Sequence, residues 1–411
     1  MKKFLSIFIF IHVTIIAFPQ QKNLDSFVNA ALVNSPLLKD YDSQLASLTF
    51  DSKIFIASLN PQVNGISNNL YAPVIGGWGY DNAITNGQQL SALVSANKSL
   101  FNKKTIASQL QNLKIQGQSA MNNSKISEQD IKKMVADQYI TVFGEQLQLD
   151  FNTKVNNMLL KEDSILKKLT QDNVYKQSDY LGFVVIRQQQ LLTTSQLEVQ
   201  YNFDYAALNY LAGIVDTTVT QLPDPELNSA SIGDFSSSPL YKQFELDSLK
   251  LANDKDLVDI NYRPKINLFA DAGYLSSFAY KGYKNWGTSV GINISIPIYD
   301  GKQRTMQHSK IDIQEKNRQF KKDFFVKQRN QQILQLLQQL NGTKLQIDQI
   351  NKQIKYTETL ITVNEKLLAT GDIRLTDFIL SLSNYFTAKN LVTQNYVTRL
   401  KIINQLNYWG K

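Results

Sequence analysis

Between Arg263-Pro264 and Asp300-Gly301 the chain carries two runs in which apolar and small polar residues alternate. Ile266, Leu268, Ala270, Ala272 and Tyr274 alternate with Lys265, Asn267, Phe269, Asp271 and Gly273. Val290, Ile292, Ile294 and Ile296 alternate with Ser289, Gly291, Asn293 and Ser295. A period of two predicts strands, at about 265–274 and 287–297, each with one apolar face. A weaker pair, carrying Ala92, Val94, Ala96 and Lys98, is expected at about 62–71 and 88–99. The pattern then changes period. Ile333, Leu340, Ile347, Ile354, Ile361 and Leu368 recur every seven residues, the spacing of a coiled-coil helix that needs a partner. The earlier half keeps the row at Val135, Val142 and Leu149, then departs to Asn156 and Asp163, so its lower part must pack differently. A helix from Gly301 to Leu368 would be on the order of 100 Å long, and must turn back on itself or join other chains. The turn is written at Thr370-Gly371. The aligned residue is Asn173, and Gly and Asn most readily take the left-handed conformation that closes a helix. A returning helix follows, with Phe378, Leu382, Tyr385, Val392, Tyr396 and Ile403 on one stripe.

The two halves align. Pro36 matches Pro239, Pro61 matches Pro264 and Tyr71 matches Tyr274, all at an offset of 203 residues. Phe101-Asn102 matches Tyr299-Asp300 at 198, and the register holds without a gap through Asp179 and Asp377 to Leu208-Asn209-Tyr210 and Leu406-Asn407-Tyr408. The missing five residues fall in the connection between the two strands, as expected of an exposed loop. We therefore read one unit written twice: repeat 1 over 21–213 with its helical tip at about 173–179, a linker at 214–226, and repeat 2 over 227–411 with its tip at about 371–377. Gly76-Gly77-Trp78-Gly79 lies in the longer strand connection and reads as a loop rather than a phosphate cradle.

Met1-Lys2-Lys3 followed by an apolar run from Phe4 to Phe18 reads as a secretory signal peptide over 1–20. No later stretch is apolar for long enough to make a transmembrane helix, so membrane residence would rest on strands. The net charge of +8 is spread thinly, which argues against a nucleic-acid partner. With no cysteine and two histidines, His12 and His308, no metal site of the usual kind is expected. No paired carboxylates in a hydrolase-like context, phosphate loop or nucleophile elbow is present. The chain does not read as an enzyme and implies no cofactor.

These residues resemble the TolC-type outer membrane efflux proteins. The resemblance is carried by Arg263-Pro264 before the first strand, Ile296-Pro297-Ile298-Tyr299-Asp300-Gly301 after the second, the tip from Thr370-Gly371 to Asp377, and Tyr396 with Asn404-Gln405-Leu406-Asn407-Tyr408 at the close. It implies an α+β membrane protein in which two tandem repeats each give a two-strand membrane hairpin and a long coiled-coil helical hairpin. Three chains would form a homotrimer with one 12-stranded β-barrel in outer membrane lipid and an α-helical periplasmic tunnel. The tips, here Gly371 and Asn173, would meet a periplasmic adaptor protein and an inner-membrane transporter. Acidic residues after the second tip ring the family's closed periplasmic aperture. Asp377 matches one of them, and Asp179 matches a first-tip aspartate joined to those links. Leu380 stands where the family has a second carboxylate. Arg374 lies three residues after the glycine, not two. Read without the resemblance, Asp179 and Asp377 begin the returning helices.

Physics reaches part of this by itself. Four strands cannot close, and an open strand edge in lipid leaves backbone groups costing several kcal/mol each, so a spanning chain must oligomerise. In that setting Val290, Ile292, Ile294 and Ile296 face lipid. The function expected is an outer membrane channel-tunnel for export, by efflux or type I secretion, placed in the outer membrane with its helices in the periplasm. The alternative is a secreted coiled-coil scaffold or adhesin with a soluble β-sheet.

Overall fold

The computed structural model describes residues 22–81, 87–229, 233–277 and 281–410, so the segment read as a signal peptide lies outside the described residues. Among the described residues the α-helices are α1 (Leu24–Asn34), α2 (Pro36–Ser58), α3 (Lys103–Gln171), α4 (Gln177–Leu211), α5 (Pro239–Asn261), α6 (Gln303–Thr370) and α7 (Leu375–Trp409). Five strands are β1 (Gln62–Ile66), β2 (Asn69–Tyr71), β3 (Gln88–Leu100), β4 (Lys265–Ser276) and β5 (Trp286–Ser295). Among the described residues no helix is long and apolar enough to cross a membrane. The chain packs as two compact units, each drawing on both sequence copies: the described parts of Met1–Ser35, Gln129–Ile232 and Gln332–Gly410, and those of Pro36–Glu128 and Gly233–Gln331.

The matched residues of the two copies are largely helix ends. Asn102 caps α3 by accepting from the Thr105 amide at 2.8 Å, and its counterpart Asp300 accepts from the Lys302 and Arg304 amides at the start of α6. Ser238 caps α5 with Pro239 in the first turn. Asparagine, aspartate and serine accept from the free amides of a first turn, and proline lacks the amide that would go unpaired there.

In the second unit the strands form one antiparallel sheet in the order β1-β3-β4-β5, with β2 continuing β1 along β3. The break between β1 and β2 falls at Asn68, where the Ser91 hydroxyl bonds both the amide and the carbonyl of Asn68 at 2.9 Å. The register therefore carries through. Pairing sets Ile266, Leu268 and Ala270 opposite Ile294, Ile292 and Val290 on one face, and Asn267, Phe269 and Asp271 opposite Asn293, Gly291 and Ser289 on the other. Below the sheet, Asp259 of α5 gathers Arg304 and His308 of α6 on one carboxylate oxygen.

In the first unit α3, α4, α6 and α7 supply the packing. Its larger cluster sets Phe27 of α1 edge-on to Tyr139 and Tyr205, among Val135, Ile140, Val142, Leu208 and Leu400. The polar tips of this cluster bind the irregular segment that follows α4. Tyr139 donates to the Pro223 carbonyl at 2.7 Å, and Gln146 both donates to the Leu222 carbonyl and accepts from its amide. Along α6 the seven-residue row is buried or half-buried, and Asn364, three residues beyond Ile361, is satisfied by Ser381 of α7. The departure in the first copy has a partner on α4 at each step: Asn156 donates to Thr194 at 2.8 Å, and Arg187 pairs with Asp163 at 2.9 Å.

A carboxyl pair lies in the same unit. Burial, then the hydrogen bond and charge of Asp204, push Glu145 of α3 up to about 8. Burial also acts on Asp204 of α4, but bonds from Glu145, Gln200 and Gln138 and the charge of Lys401 hold it below its usual value. An ionised Glu145 would leave its enclosed Oε2 without a donor, whereas the protonated group donates to Asp204. The native state thus holds a proton that the unfolded chain releases near the ordinary carboxyl value. This contribution is complete below that value and is lost as pH rises through about 8. Thermal melting should therefore fall between pH 5 and pH 8.5, and Glu145→Gln should flatten that fall. An unchanged slope would remove the pair as its cause.

Candidate functional site

Two groups of residues stand out, one in each unit: the sheet, and the paired ends of the helical hairpins. On the apolar face of the sheet the side chains of β5 lie uncovered among the described residues. Val290 is 83% exposed, and Ile292, Ile294 and Ile296 are also exposed, with Ile296 one residue past the end of β5. Contiguous aliphatic side chains in this state mark a surface that meets something other than water. Aromatics stand at the ends: Tyr71, Phe101, Trp286 and Tyr299 are exposed, and Tyr274 meets Trp286 edge-on at 5.7 Å. In the β2–β3 connection Ile75 and Trp78 exchange backbone hydrogen bonds around Gly76 and Gly77, both at positive φ, a tight hairpin turn and no anion cradle. β1 and β5 each keep one edge that no described strand pairs.

The hairpin ends are built alike. Asn173 has φ 61° and Gly371 φ 79°. The Val174 amide reaches the Leu169 carbonyl while the Asn173 amide reaches Thr170; Asp372 to Leu367 and Gly371 to Leu368 repeat the pattern. This double bond pair closes a helix through one left-handed residue. The ends also touch each other, which sequence reasoning missed. Tyr175 donates to the Ile373 carbonyl at 2.8 Å, and a Cβ on Gly371 would lie 2.5 Å from a Val174 methyl. The available signal was that Tyr175 and Ile373 occupy the same place in the two copies. Beneath them Leu166, Phe183, Leu368, Leu375, Phe378 and Leu382 form a buried cluster.

The acidic residues begin helices, in the first turns of α4 and α7. Asp377 is held by Arg374 through two bonds of 2.9 and 3.1 Å. The Arg374 side chain is 82% exposed, so this pair contributes under about 1 kcal/mol of stability. Asp179 accepts from Ser178 at 3.4 Å and lines an open cleft of about 530 Å³ with Leu375, Thr376, Ile379 and Leu380. The structure thus brings Arg374 to Asp377 and sets Asp179 beside the first turn of α7.

No protein-family model and no curated relative matches the sequence. Solved structures match closely in fold. The outer membrane protein VceC from Vibrio cholerae aligns with TM-score 0.78 at 11% identity, over 94% of this chain and 96% of its own. The fold is that of the outer-membrane channel proteins. The outer-membrane channel OprN aligns with TM-score 0.77 at 13% identity, over 94% of this chain and 89% of its own. The open state of the MtrE outer membrane channel from Neisseria gonorrhoeae aligns with TM-score 0.73 at 12% identity, over 94% and 88%. The resemblance read from the sequence to the TolC-type proteins holds at the level of fold.

Proposed function

We propose that this chain is one of three identical subunits of an outer membrane channel-tunnel for export, working with a periplasmic adaptor and an inner-membrane transporter. The observation that carries the reading is an antiparallel sheet with an uncovered aliphatic face and two open edges, in a chain that matches outer-membrane channels over 94% of its length. In lipid both edges must pair, and the β1 edge of one copy meeting the β5 edge of the next is a head-to-tail contact that closes into a ring. Three copies give twelve strands. Exposed apolar rows accompany the edges: Phe50 and Ile54 on α2, which leads into β1, and Met306, Ile313 and Phe320 on α6, which follows β5. A secreted scaffold would leave the aliphatic sheet face in water, which disfavours that reading.

The helices would form the periplasmic tunnel, with Gly371 and Asn173 at the ends that meet the adaptor. Asp377, Arg374 and Asp179 would line the aperture. Transport through such a duct needs no bond chemistry, since pore lining and constriction set what passes. A heat-modifiable trimer in outer membrane fractions, conducting in planar bilayers, is the expected result. A soluble monomer would overturn the reading. Asp377→Ala should raise conductance by loosening the aperture, and an unchanged conductance would take Asp377 out of that role.

A further inference from the structure

Resting on the channel reading, we propose that Asp271 is a selectivity residue of the barrel, one carboxylate per chain facing the water-filled interior and favouring cations over anions. The face assignment follows from the sheet register. Asp271 lies opposite Ser289 on β5 and Ser95 on β3, while its neighbours Ala270 and Ala272 lie opposite Val290 and Thr288. The aliphatic face goes to lipid, so the Asp271 face goes to water.

Three features make this position distinct. It carries the one formal charge on the polar face between the strand ends among the described residues. The other charge on that face, Lys265, is the first residue of β4, six residues or about 20 Å along the strand. The carboxylate is held in place by a neutral partner, the Ser289 hydroxyl at 3.3 Å, and no described lysine or arginine forms an ion pair with it. The bulky neighbour on the same face is turned across to β5. Phe269 lies over Gly291, where a Cβ would come within 2.3 Å of the ring, so the ring rests against the sheet.

A twelve-stranded barrel with strands ~4.8 Å apart and tilted ~45° has a backbone radius of about 13 Å. Three carboxylates on that wall act across the interior at low salt, where the screening length is ~30 Å at 0.01 M, and weakly at 1 M, where it is ~3 Å.

The test is the reversal potential of planar bilayers under a potassium chloride gradient, for the wild type, Asp271→Asn and Asp271→Lys. Recovery of heat-modifiable trimer checks assembly, and the isosteric Asp271→Asn keeps the test decisive if the lysine variant does not assemble. The potassium-to-chloride permeability ratio should fall about twofold or more in Asp271→Asn at 0.01 M salt, and should invert in Asp271→Lys. The fall should persist in an Asp377→Ala background, which separates the barrel from the aperture. The chain contains no cysteine, so Asp271→Cys provides a single thiol that a membrane-impermeant reagent should modify, whereas Ala270→Cys should stay protected. A conducting trimer whose selectivity is the same with and without Asp271 overturns this inference alone. A wild-type chain that forms no pore removes the channel reading and this inference with it.

Discussion

A Gly273→Val variant should fail to assemble as a barrel. Gly273 has φ 151°, and a Cβ there would lie 2.2 Å from the Ala92 carbonyl oxygen and 2.9 Å from the Leu93 Cα. Both atoms are backbone of the neighbouring strand and cannot swing aside as a side chain could. The β3–β4 ladder, which joins the hairpin of one copy to that of the other, would have to open around this point. In lipid each backbone group left unpaired costs on the order of several kcal/mol, far beyond what a single side chain returns. The matching control lies directly opposite on the next strand. A Cβ on Gly287 meets nothing within 4 Å, so Gly287→Val should assemble normally. Heat-modifiable trimer in outer membrane fractions reads both variants, and equal recovery of the two would refute the close approach.

Phe378→Ala should loosen the hairpin ends without unfolding the larger cluster around Tyr139. Phe378 is fully buried among Phe183, Leu368, Leu375 and Leu382. Truncating a buried phenylalanine leaves a cavity and costs about 3–5 kcal/mol. That cluster and the one centred on Tyr139 share no buried residue, so the loss should be local. Amide exchange over residues 366–383 should accelerate while that around Tyr139 holds. The control is Leu380→Ala on the exposed side of the same helix, which should change exchange little. Protection that survives Phe378→Ala would show that the two closing turns, and not the cluster, hold the ends together.

The residues legible in the sequence are those whose conformation has a local cause. β4 and β5 follow from strict alternation, and the hairpin ends follow from Gly371 and Asn173. The structure adds helix starts with equally local causes at Asn102, Asp300 and Ser238, each a side chain that reaches an amide two to four residues ahead. The Arg374–Asp377 pair belongs with them, since three residues on a helix set two side chains within reach. What escaped had partners far along the chain. Asn156 and Asp163 looked like faults in the heptad row. Each has one partner on α4, Thr194 and Arg187, which nothing near them in sequence announces. Glu145 likewise owes its raised value to burial and to Asp204, which lies 59 residues further along the chain.

By itself, the sequence indicated two halves that align, the two kinds of element, the hairpin ends, and an aliphatic face on the strands. All of these rest on periodicity and on side chains acting within a few residues. Only the tertiary structure decided that β3 pairs with β4, so that the two hairpins form one sheet with its free edges on β1 and β5. It alone placed Tyr175 of one helical end on the Ile373 carbonyl of the other. Alternation says which face a strand turns inward but not which strand lies beside it. That choice is made by backbone hydrogen bonds between segments more than 160 residues apart, at places such as Gly273 where only a missing side chain lets the two strands meet.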